Sequence, residues 1–103
     1  MSAPLTSTAD LKPGTVITLA TQQRDKRNGQ VFWWTRFAVV TDVVSDRYFD
    51  CLHLKMHVTD KDERSIDLRS ATTVVTLLPE ADWPQGVSAM FMKLLHQGHF
   101  KLD

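Results

Sequence analysis

The chain has 103 residues, 43% of them hydrophobic, and twelve basic residues balance twelve acidic ones, so the formal net charge is zero. That length predicts one domain with one modest core, not a core plus a deep cofactor cavity. The charge balance removes the basic excess by which proteins usually grip nucleic acid. The lone Cys51 removes the internal disulfides on which small secreted domains rely.

Residues 1–10 are small and polar, with neither the basic nor the apolar segment of a signal peptide, and predict a mobile tail. No run approaches the length of a membrane span, so the expected compartment is the cytoplasm, with no membrane partner. Residues 11–103 then form the single domain. Leu11-Lys12-Pro13-Gly14 has the form of a turn with positive φ at Gly14. Residues 15–21 alternate, with Ile17 and Leu19 on one face, and predict the first strand. Asn28-Gly29 is a hairpin dipeptide. The aromatic and β-branched run over 30–44 predicts a long second strand, bent or bulged midway.

Ser45-Asp46-Arg47 predicts the next turn, and residues 48–58 the third strand. There Leu52, Leu54, Met56 and Val58 share one face, and Phe49, Cys51, His53, Lys55 and His57 the other. The even set is the more apolar and reads as the core face. In the second strand Arg36 and Asp42 argue against burying the even set, so the odd set, including Trp33, Phe37 and Val39, faces the core. Odd must then lie opposite even. An even-length loop does this, pairing Phe37 with Met56 and Val39 with Leu54.

Residues 59–64 form a charged turn, and 65–69 and 73–78 predict two more strands. Five strands with short connections and no helix between them predict a mainly β fold, an antiparallel meander closing into a small SH3-like barrel. An OB-like barrel and a curled open sheet are the alternatives. After Pro79 the period changes. Val87, Met90, Phe91, Leu94 and Leu95 make a helical stripe, predicting one amphipathic helix over about 84–97. Ser88 or the stretch from Asp82 serves its start, and Gly98 its end. A helix this short must dock, on the barrel, on the outer sheet face or on a second copy.

The outer face of the second and third strands collects Phe32, Trp34, Arg36, Phe49, His53, Lys55 and His57. Aromatic side chains among cations stack bases and hold phosphates, and also compose protein-binding hot spots. The bland reading is that the helix covers this face. Arg24, Lys26 and Arg27 at a hairpin tip form a second candidate, against a solvated loop with Asp25 as internal partner. Cys51 and His53, about 7 Å apart on one strand face, reach a common point, while His57 lies too far along the strand to join them. No metal, cofactor or catalytic set is predicted. Cys51 beside His53 lacks an orienting carboxylate.

Pro13-Gly14-Thr15-Val16 followed by Arg36-Phe37-Ala38-Val39-Val40 resembles the opening of the MazF/PemK-like ribonuclease toxins, over about the first half of the chain. The proline that follows the arginine in that family is missing. The family's Thr-Ser element has only Val58-Thr59-Asp60 as its nearest counterpart. The resemblance implies endoribonuclease activity resting first on Arg36 and Thr59. The residues themselves predict otherwise: a non-catalytic small β module that binds protein and self-associates, through its C-terminal helix or outer sheet face, because one small interior cannot hold all of its aromatic residues. Single-stranded nucleic-acid binding is the alternative.

Overall fold

The computed structural model describes residues 3–102. Five strands, β1 (Val16–Arg24), β2 (Val31–Val43), β3 (Tyr48–His53), β4 (Glu63–Asp67) and β5 (Thr73–Leu77), form one antiparallel sheet in the order β4-β3-β2-β1-β5. Helix α1 (Val87–His96) follows. The five strands and the single C-terminal helix are those the sequence predicts. The predicted closure into a barrel does not occur. Among the described residues β4 and β5 pair with no further strand, so the sheet is open. It still curls, because Ile66 of β4 and Val75 of β5, at opposite edges, pack into one cluster.

Both faces of the sheet's centre are core. Ile17, Leu19, Ala38, Val40, Phe49 and Cys51 fill the concave face. Val16, Val39, Leu52 and Leu54 fill the other, beneath Val87, Phe91 and Leu94 of α1. Ala38, Val39 and Val40 are consecutive and all fully buried, as expected of a central strand covered on both sides. The face expected to be the core is therefore the one α1 covers, and the face expected to be outer is a second core.

Arg36 and Asp42 mislead about the even face of β2 because each has a local reason to be there. Arg36 sits beyond the packed region, half-buried. Asp42 lies past a β-bulge: Val40 pairs with Cys51 but Asp42 with Asp50, leaving Thr41 as the extra residue. The bulge turns Asp42 away from the face that holds Val40.

The same bulge corrects the predicted loop. Val44 N donates to Tyr48 O (3.0 Å), so the turn is the three-residue Ser45-Asp46-Arg47. An odd loop alone would put odd opposite odd. The extra residue restores odd opposite even, with Val39 across from Leu52 and Ala38 from His53. The parity demanded by the hydrophobic pattern holds, but the register is two residues from the predicted one. The third strand also ends early, at His53. Beyond Leu54, whose N–H donates to Phe37 O, the chain leaves the sheet. Asp62 holds that departure: its carboxylate accepts from Lys55 Nζ (2.9 Å) and Thr59 N (2.9 Å).

Residues 3–10, predicted as a mobile tail, lie against the concave core. Leu5 N donates to Val75 O (2.7 Å), and buried Thr8 donates from N and Oγ1 to Asp46 O and Ser45 O. At the other end, α1 closes as the sequence predicts. Gly98, at φ 81°, donates to Leu95 O and His99 to Leu94 O, the two bonds of a Schellman motif. Its start differs: Gly86 is the N-cap, and Ser88 is exposed inside the helix. Phe100 does not form a strand. It is buried beside Phe91, ring centroids 5.1 Å apart. Leu102 lies over Gly14, where a Cβ would collide with its side chain.

Candidate functional site

The β1–β2 hairpin outruns its neighbours. β3 pairs with β2 only from Ala38 onward, and β5 pairs with β1 only as far as Thr21. Residues 22–24 and 31–35 thus form a two-stranded arm. Along it Val31, Phe32, Trp33 and Trp34 are each 46–49% exposed. Side chains alternate, so Phe32 and Trp34 continue the concave face and Trp33 the opposite one.

The arm's outer edge is unpaired. Val40 N donates to Thr15 O, and Asp25 N to Gln30 O, so even-numbered residues before the bulge turn their backbone groups toward β1. Odd-numbered residues turn outward. Phe37 O meets Leu54 N there, but the N–H and C=O groups of Val31, Trp33 and Thr35 have no backbone partner among the described residues.

Where the arm joins the body, the concave face opens into a cleft of about 260 Å³ lined by Leu19, Thr21, Trp34, Arg36, His53 and Arg64. A second hollow of about 360 Å³ adjoins it, sharing Trp34, Arg36 and His53 and adding Phe37, Leu54 and Lys55. The Arg36 guanidinium stacks on Trp34, its carbon 3.9 Å from the ring centroid. His53 is buried, and its Nδ1 finds no hydrogen-bond partner among the protein's own groups. Burial first, then the charges of Arg36 and Arg64, pull the His53 pKa below its ordinary value, against a weaker opposing effect of Asp62.

The sequence-predicted residues separate into five groups. Trp34, Arg36, His53 and Lys55 come together in the cleft, with Lys55 already bound to Asp62. Phe32 lies further out on the arm. Phe49 is fully buried and is core, not surface, because the concave face curls around it. His57 is exposed on the turn after β3 and joins none of the others. Arg24, Lys26 and Arg27 surround the arm's tip, where local contacts already engage two of them: Arg24 Nη1 donates to Gly29 O (3.1 Å), and Arg27 Nε lies 3.5 Å from Asp25. Exposed pairs of this kind contribute little. The sequence reading missed Arg64. Its signal is spacing, since Arg64 stands two residues before inward-facing Ile66 and shares its face.

Arg36 and Thr59 do not meet. Thr59 lines a separate hollow with Thr41, Leu52 and His99, on the helix-covered side. Among the described residues no three His, Cys, Asp or Glu side chains converge on a metal position. Burial pushes the Cys51 thiol up to about 12, helped by Asp50 and opposed by Arg64, so it stays protonated near neutral pH. Cys51 is accordingly expected to resist Ellman's reagent in the native protein and to react fully once guanidinium unfolds it. Rapid labelling of the folded chain would contradict this burial.

Comparison of the chain with protein-family models, with curated proteins and with solved structures finds no match. No described helix is long and apolar enough to cross a membrane.

Proposed function

We infer that the protein is a non-catalytic binding module that assembles with a second copy of itself through the arm. The observation that carries this is the free edge of β2, where unpaired backbone groups coincide with half-exposed Val31, Trp33 and Thr35. Such an edge is a template for another strand. Helix α1 is no longer available for the purpose, because its apolar stripe is spent on its own sheet.

The edge is self-complementary. Two copies related by a two-fold axis can pair antiparallel with Trp33 opposite Trp33 and Val31 opposite Thr35, all outward-facing residues. Phe32 then lies opposite Trp34. The only charge at the margin, Arg36, faces Gln30, so no like charges meet. The strand order, with β5 beside β1, supports the SH3-like reading of the scaffold. The single buried thiol fits a reducing cytoplasm.

Sedimentation equilibrium tests the proposal. The expected result is a reversible monomer–dimer equilibrium, with tryptophan emission shifting to shorter wavelength as concentration rises. A chain that stays monomeric through high micromolar concentration would sink self-association.

A further inference from the structure

The cleft at the root of the arm is cationic. Arg36, Arg64 and Lys55 border its two hollows, and among the described residues no carboxylate lines either one. This occurs in a chain whose acids and bases balance overall. Lys55 is neutralised by Asp62 at 2.9 Å. Arg64 donates only to the backbone oxygens of Lys61 and Glu63, and Arg36 makes no ion pair among the described residues. Two guanidinium charges are therefore left without counterions beside one cavity.

A second, independent observation lies between them. His53 is 95% buried, only 5% of it being exposed, it lines both hollows, and its Nδ1 is unpartnered. Buried polar atoms are normally satisfied. The remaining lining sorts by chemistry. Thr21 and Gln23 offer neutral polar groups at one side, and Leu19, Ile66, Phe37 and Leu54 offer apolar wall. Trp34 is half-exposed and its guanidinium-stacked ring makes a planar platform.

We propose that this cleft binds a phosphomonoester carrying a planar ring. The two free guanidiniums match the two charges of a phosphate dianion, which they grip through paired N–H···O bonds. A carboxylate would leave one of them unbalanced. The ring of the ligand lies along Trp34 and the apolar wall, as aromatic groups do on indole and guanidinium planes. His53 closes the site from below, its ring held in place by burial. The side chains of this site project from the concave face and are not the backbone groups of Val31, Trp33 and Thr35, although Trp34 and Arg36 lie opposite Phe32 and Gln30 of the second copy in the proposed pairing.

The test uses the full chain and phenyl phosphate, with methyl phosphate and benzoate as the probes that lack, respectively, the ring and the dianion. Binding is followed by two-dimensional NMR of the histidine and tryptophan side chains. Phenyl phosphate is expected to move the His53 and Trp34 resonances in a saturable way and to bind at least about tenfold more tightly than either control. Arg36→Gln and, separately, Arg64→Gln are each expected to weaken it at least about tenfold while circular dichroism stays unchanged. Absence of any shift at His53 and Trp34 overturns the proposal. So does equal affinity for methyl phosphate, which removes the ring, or equal affinity for benzoate, which removes the dianion. Undiminished binding in both folded arginine variants overturns it as well.

Discussion

Phe49→Ala is expected to lower folding stability by about 3–5 kcal/mol, the usual loss for a buried phenylalanine that leaves a cavity. Phe49 is completely enclosed, in a cluster with Val40, Cys51 and Ile66 drawn from three strands. It pairs across the sheet with Val43 on one side and Ile66 on the other. A rigid sheet clamped by two neighbours cannot collapse far into the space. A domain of this size has about 5–15 kcal/mol in all, so the variant loses about a fifth or more of it. Urea denaturation followed by circular dichroism measures the change. Phe32→Ala supplies the contrast: it stands on the same face of the sheet but is 47% exposed, and its expected cost is within about 1 kcal/mol. Equal costs at the two positions would mean that the concave face does not pack as described.

Thr35→Pro is expected to leave the fold intact and to weaken dimerisation at least about tenfold. Proline is tolerated in a strand only where its missing N–H faces no partner. Thr35 meets that condition, since its backbone groups point to the free edge and the β1 ladder runs through the even-numbered residues. In a two-fold pairing each copy loses one N–H···O bond, two per dimer. At about 0.5–1.5 kcal/mol each, the total is about 1–3 kcal/mol, before the ring's own obstruction of the edge is counted. Trp34→Pro is the internal control. It deletes an N–H directed at β1 and is expected to destabilise the monomer itself. Sedimentation equilibrium and thermal melting, run on both variants, separate the two effects. Unchanged dimerisation of folded Thr35→Pro would exclude the β2 edge as the contact.

The local features of this chain were legible because each rests on neighbouring residues. Pro13-Gly14 marks a turn whose glycine has φ 96°, and Gly98 ends the helix at φ 81°. The stripe from Val87 to Leu95 docks as its spacing requires. Even the parity of β2 against β3 follows from the alternation. What the sequence concealed depends on distant parts of the chain. Phe49 and Cys51 look like one side of a half-buried strand until the curl of the sheet brings β4 and β5 around them. A bulge is expected in the long second strand, but its place at Thr41 breaks no residue preference, so nothing marks its position. Counting along the strands puts Trp34, Arg36 and His53 on one face, and they line one cleft. Arg64 joins them only once β4 is known to pair with β3.

The place of β5 also sets an order of events during synthesis. β1 and β2 are joined by a short turn, and such hairpins close within microseconds, far faster than a ribosome adds residues. The partner on the other flank of Ile17 is Leu77, so that side of β1 stays bare until most of the chain has emerged. For that interval the outer edge of β1 is open, while β3, which emerges earlier, covers β2 from Ala38 onward. That edge is later sealed by β5. The other, at Val31, Trp33 and Thr35, is the edge that remains open in the finished fold, and it is exposed from the moment the hairpin closes.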